Sequence, residues 1–313
     1  MPFKLHPISL LVILLLICSG GRGQQKDTID GRVITLSEVI IRSHTDVRGF
    51  VNKIKVDTSF YKAFKNLRIL NFSALNDIRM MDKKGNTSAT LNSRTRQYVA
   101  NGCRYTKKET EEIKGDFYNS KGGYNYYTAE LYASLFFAYD TICGETNMVK
   151  GADRSLRNKS GLEKHKEQLK MLFFNPGMKI PGIPLMGDKA AMFDDDMSRW
   201  YHFDIDIREK NGKPFYVFNV TGKTEAEGGD PDKLVIDKMS TWFDYTTFDV
   251  VSRYYSLSYG AGIYAFNVDM EVELTRFQEL LVPSLIRYNG RWSVITKKKE
   301  RGIFTATLFD FSQ

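Results

Sequence analysis

Phe266-Asn267-Val268-Asp269-Met270-Glu271-Val272-Glu273-Leu274-Thr275 is the stretch that decides the fold. Phe266, Val268, Met270, Val272 and Leu274 alternate without a break with Asn267, Asp269, Glu271, Glu273 and Thr275. Side chains of a strand point alternately to its two faces, so this segment reads as a strand with one apolar and one wet face. A sheet built on such a strand must cover its apolar face with helices, a ligand or a partner.

Outward from this strand, residues 200–311 read as an antiparallel meander. Strands are expected over 202–209, 214–221, 233–238, 241–244, 249–258, 263–275, 282–288 and 303–311. Asn211-Gly212 is a strong hairpin signal, because both central positions of a type I′ turn need positive φ; residues 228–232 form a looser turn. Upstream, residues 82–86 turn between strands over 77–81 and 87–91. Phe50, Ile54, Tyr61, Phe64 and Leu67 recur at helical spacing across 47–67, with Asp57-Thr58 as a cap between two segments. A further helix is expected over 162–174, stopped by Asn175-Pro176-Gly177 because proline cannot continue the ladder. Residues 102–120 read as a polar loop, 124–139 as an aromatic run open between helix and strand, 148–160 as a polar connector and 180–185 as an extended loop.

The N-terminus speaks to compartment. Lys4 precedes the apolar run 8–17, and Ser19-Gly20-Gly21-Arg22-Gly23 offers small residues for cleavage, the layout of a secretory signal peptide over 1–23. The apolar run is too short to span a bilayer. Residues 24–44 then form an N-terminal arm with a short strand over 33–41, and 45–313 form a single domain, helical and first-strand part 45–200 and meander 201–313. The expected locale is the periplasm or the outer membrane, with peripheral membrane contact open to the mature chain.

The formal charge of +8 falls to +6 once Lys4 and Arg22 are removed, and the excess is spread along the chain. With no recognition motif and an export signal, nucleic acid is not an expected partner. Cys103 and Cys143 remain after cleavage, and an even pair in an oxidising compartment points to a disulfide closing 40 residues, two buried thiols being the alternative.

Catalytic signatures are lacking. His44, His165 and His202 form neither HExxH nor HxxxH, and no nucleophile elbow, phosphate loop or dinucleotide fingerprint occurs. Asp194-Asp195-Asp196 is expected to cap a short helix over 193–201 rather than bind calcium, since consecutive acids fan apart. No cofactor, metal or catalytic residue is expected, and the protein is read as no enzyme. A third alternative, a metal-dependent hydrolase, would need His202 to meet Asp194–Asp196 or Glu130.

Ser240-Thr241-Trp242-Phe243-Asp244-Tyr245-Thr246-Thr247-Phe248-Asp249, Asp269-Met270-Glu271-Val272, Val282-Pro283-Ser284-Leu285-Ile286 and Glu300-Arg301-Gly302-Ile303-Phe304 together resemble the lipoprotein-carrier (LolA/LolB-like) half-barrel. That resemblance implies a curved antiparallel sheet wrapping an apolar groove, helices as its lid, and lipid acyl chains as its ligand. Phe60-Tyr61-Lys62-Ala63-Phe64-Lys65-Asn66-Leu67, Thr90-Leu91-Asn92-Ser93-Arg94-Thr95-Arg96-Gln97, Glu163-Lys164-His165-Lys166-Glu167-Gln168-Leu169-Lys170 and residues 187–197 resemble exported Bacteroidota proteins labelled carboxypeptidase-like regulatory domain-containing.

The resulting expectation is an α+β protein: a curved antiparallel half-barrel with helices on its apolar concave face. It would bind a lipid, a lipoprotein or an apolar partner segment of the envelope. Phe266, Val268, Met270 and Val272 would line the groove, flanked by Phe218 and Trp242. The rival is a structural or assembly protein whose core its own helices fill.

Overall fold

The computed structural model describes residues 47–138, 140–149, 168, 170–180, 186–261, 264–294 and 299–313. The expected signal peptide, the arm with its 33–41 strand, His44, His165, most of the 148–160 connector, residues 181–185 and the N-terminal part of the 162–174 helix lie outside these residues.

Among the described residues, eleven antiparallel strands form one open sheet. Helices α1 (Val47–Val56) and α2 (Ser59–Asn66) come first, parted at Asp57, whose carboxylate accepts from the Ser59 amide and hydroxyl. Strands β1 (Asn71–Met81), β2 (Thr87–Ala100) and β3 (Cys103–Lys114) then meander to helix α3 (Tyr127–Phe136) and the short strand β4 (Ile142–Cys143). After helical turns at 170–174 and a single-turn helix α4 (Asp195–Ser198) comes a second meander. Its strands are β5 (Tyr201–Lys210), β6 (Lys213–Gly222), β7 (Ile236–Asp244), β8 (Val250–Ala261), β9 (Tyr264–Phe277), β10 (Leu280–Val294) and β11 (Glu300–Ser312). The order across the sheet is β4-β3-β2-β1-β11-β10-β9-β8-β7-β6-β5, so the first long strand and the last pair where the two meanders join.

Two elements differ from expectation, and one left open is resolved. Residues 103–114 are strand rather than loop, because Asn101 (φ 52°) and Gly102 (φ 70°) close a two-residue hairpin onto β2. Nearly every side chain of β3 beyond Thr106 is exposed, so no apolar period marks it in the sequence. The aromatic run resolves into α3. The two short strands expected over 233–238 and 241–244 are one strand, β7, with irregular register at Ile236/Lys238 and Trp242/Phe243. The Asn211-Gly212 hairpin forms as read, with φ of 54° and 73°.

Strand β9 carries the alternating stretch 266–275, and its burial alternates as its composition requires. Phe266, Val268, Met270, Val272 and Leu274 are buried, while their neighbours are half-buried or exposed. Register carries one buried row across the sheet, from Phe218 through Thr241, Arg253, Val272, Ile286 and Ala306 to Asn76.

The chain's own aromatics cover this face. Phe60 of α2 meets Tyr255 edge-on at 6.5 Å, Tyr132 of α3 meets Tyr288 at 4.6 Å, and Phe173 meets Trp292 at 6.1 Å. The Tyr255 hydroxyl donates to the Phe173 carbonyl, tying the 170–174 turns to β8. Over β5 and β6, Phe193 stacks on Phe203 at 6.1 Å and on Phe218 at 6.4 Å. Gly290 makes this packing sterically feasible: a Cβ there would lie 1.9 Å from the Tyr288 hydroxyl oxygen, so the Tyr288 ring folds over bare backbone. Glu300 on β11 anchors α3 by accepting from the amides of Tyr127 (3.0 Å) and Thr128 (2.8 Å) and from the Thr128 hydroxyl (2.6 Å).

Candidate functional site

Where α2, α3 and the 170–174 turns lie over β1, β2, β3 and β11, packing leaves a cavity of about 70 Å³. A single water needs about 10–15 Å³ measured this way, so the space holds several waters or a short run of methylenes. Its walls are apolar and come from both layers: Phe64 and Leu135–Phe137 and Phe174 above, Phe72, Ala74, Ala306 and Leu308 below. Phe64 and Phe174 stack at 4.1 Å and Phe136 meets Phe174 edge-on at 5.6 Å, so the roof is a linked aromatic unit.

One side of the cavity is polar. Asn76, 4% exposed, donates through Nδ2 to Ser93 Oγ (3.3 Å) and Thr95 Oγ1 (3.2 Å), while its Oδ1 has no hydrogen-bond partner among the described residues. A buried acceptor left unpaired costs about 1–3 kcal/mol, so this atom favours any occupant carrying a donor. Gln97 is fully engaged: its Nε2 donates to the carbonyls of Leu67 and Leu70, both at 2.7 Å, and its Oε1 accepts from Arg104 Nη1 at 3.1 Å.

Lys65, Arg68, Arg104 and Lys170 also line the cavity, and no acidic residue does so among the described residues. The counter-charge arrives from outside. Glu145 Oε2 accepts from Arg104 Nε at 2.6 Å, and Oε1 lies 3.3 Å from Arg68 Nη2. Burial pushes the Glu145 carboxyl up, but the Arg104 hydrogen bond and the charges of Arg104, Arg68 and Lys170 outweigh it and hold the group below its ordinary range. The side chains of Arg68, Arg104 and Glu145 are 20%, 16% and 23% exposed, so water screens this cluster less than a surface ion pair.

A disulfide places Glu145. Cys103 of β3 is bonded to Cys143 of β4, and the segment leaving Cys143 runs as a strap across α2. Asn147 Nδ2 donates to Asn66 Oδ1 at 3.0 Å, Lys62 Nζ donates to the Asn147 carbonyl at 2.5 Å, and Asn66 Nδ2 continues to the Leu281 carbonyl at 2.8 Å. The cysteine pair is therefore part of the site's architecture, since it roots the strap beside Arg104.

Of the residues expected to line a groove, Phe218, Val268, Met270 and Val272 are buried on the covered face, beneath the chain's own side chains. Phe266 is also buried there and reaches a second, more open cleft of about 550 Å³ with Tyr259, Arg291 and Trp292. Trp242 lies on the opposite face, since Thr241 and Phe243 on either side of it are buried inward; it packs on Phe215 at 5.8 Å. None of the six lines the 70 Å³ cavity. His202 pairs with Glu227 at 3.1 Å and Asp194 lies 3.9 Å from Lys55, so the convergence required of a metal-dependent hydrolase does not occur among the described residues. No helix among those residues is long and apolar enough to cross a membrane.

Arg253 is a buried, inward-facing cation that the sequence gives no sign of. It is 5% exposed, donates through Nε to Thr241 Oγ1 at 2.9 Å and lies 4.2 Å from the centre of the Phe60 ring. Burial pushes its pKa down to about 10, opposed by the field of Asp57 at the α1–α2 junction. It sits in a buried row opposite Val272, where an arginine breaks the alternation of apolar residues.

No protein-family model and no curated protein matches the chain. Among solved structures, it is similar to a LolA-superfamily protein from Nitrosomonas europaea, at 9% identity and a TM-score of 0.25, over 82% of this chain and 91% of that one. It is also similar to a DUF1329-family protein from Desulfovibrio piger, at 9% identity and a TM-score of 0.25, over 81% and 93%. These are distant likenesses, and the site is read from its own residues.

Proposed function

We propose that the protein is a non-enzymatic component of the cell envelope that holds a lipid, a lipoprotein acyl chain or an apolar partner segment between its helices and its sheet. The sheet acts as a half-barrel, with α2, α3 and the 170–174 turns as the lid on its concave side. The observation that supports this reading is the cavity itself: apolar walls from two layers and cations along one side. Each methylene moved from water into such walls contributes about 0.8 kcal/mol, so affinity should rise with each carbon the cavity can cover. Export through the segment 1–23 would bring the protein to the periplasm or the outer membrane.

The rival reading, an assembly protein with a self-filled core, draws on the aromatic cover over Phe218, Met270 and Tyr255. Uptake of a fluorescent fatty acid separates the two. Wild type should take up the probe, and Ala306→Leu, which adds a side chain at a 2% exposed cavity wall, should take up little. A wild-type protein that takes up none, while folded, favours the assembly role.

A further inference from the structure

The strap inserts a carboxylate between two guanidinium groups at the wall of an apolar space. Glu145 engages Arg104 at 2.6 Å and Arg68 at 3.3 Å, one oxygen to each. Both arginines line the cavity together with Lys65 and Lys170. The same cluster thus satisfies a carboxylate with two charge-assisted contacts and adjoins walls that suit methylenes.

The reading of the cavity as an acyl-chain site is the premise here. We propose that its ligand is a carboxylate-headed amphiphile of the fatty-acid class, whose head group takes the place of Glu145 between Arg68 and Arg104. Glu145 is then a built-in competitor that closes the empty site. The exchange is like for like. One carboxylate replaces another, so the arginines, already mostly withdrawn from water, are never left without an anion. The displaced Glu145 turns outward while the strap stays rooted at the Cys103–Cys143 bond and at Asn147. A neutral head group gains nothing from this cluster and leaves Glu145 where it is.

Isothermal titration of the full chain with octanoate and with octan-1-ol tests the proposal in wild type, Glu145→Gln and Arg104→Gln. Removing the competing charge should tighten octanoate about tenfold, and removing the clamp should weaken it by about as much, with octanol affinity unchanged in both. Asn147→Ala, which loosens the strap and keeps every clamp residue, should shift octanoate in the same direction as Glu145→Gln. It replaces that variant if Glu145→Gln fails to fold. If octanol binds and octanoate responds to neither the strap nor the clamp, the head-group proposal falls and the apolar-cavity reading stands. If neither ligand binds folded wild type, both fall.

Discussion

Replacing both Cys103 and Cys143 by alanine tests how the strap is held. The bond closes a loop of 40 residues that includes the whole of α3. In the chain-entropy model a loop of that length restricts the unfolded chain enough to contribute about 4 kcal/mol to stability. The folded state loses little else directly, because the alanines can keep the β3–β4 pairing and the strap retains its contacts through Asn147 to Asn66 and Lys62. The expected result is a urea midpoint lowered by an amount worth about 4 kcal/mol, carried by the unfolded-state term. Urea unfolding followed by tryptophan fluorescence and far-ultraviolet circular dichroism measures it. A loss below about 1 kcal/mol would refute the reasoning, since the loop would then be constrained in the unfolded chain by something other than the bond.

Gly290→Ala should cost about 1–3 kcal/mol, because the new methyl group collides with a Tyr288 ring held by Tyr132 and by the Trp292 indole; thermal unfolding checks it. Glu145 has a depressed carboxyl pKa, so its stabilising contribution is full above the unfolded-state range and is lost as pH falls through the folded value. The stability gap between wild type and Glu145→Gln should therefore shrink as pH goes from about 6 to about 3, as melting temperatures at each pH would show. Arg253→Met should change stability by less than about 1 kcal/mol or raise it, because relief of a buried charge offsets the lost Thr241 hydrogen bond and Asp57 attraction, while the methionine side chain can still pack on Phe60; urea unfolding decides this.

Strand β9 was legible because one of its faces is covered and the other is wet, so composition alternates with geometry. Strand β3 was not, because its side chains are mostly exposed and only Asn101-Gly102 at its start betrays the hairpin. Trp242, expected to flank the groove, faces away from the covered side. Met239, Thr241 and Phe243 are the buried residues of this part of β7, so plain alternation turns polar Thr241 inward to Arg253 and the large apolar ring out. The cavity itself was hidden. Arg68, Arg104 and Glu145 are far apart in sequence, and only the β1–β3 meander and the disulfide bring them together. Its aromatic walls look like any core residues until the layers are stacked. The cysteine pair was legible, but its role as the root of a strap was not.

The most direct test of the central claim is native mass spectrometry of the protein purified from its own envelope fraction, followed by solvent extraction of whatever it carries. The account predicts added mass from a bound lipid or acylated species in wild type, absent from Ala306→Leu. A folded wild-type protein at its bare mass, with nothing extracted, would contradict it.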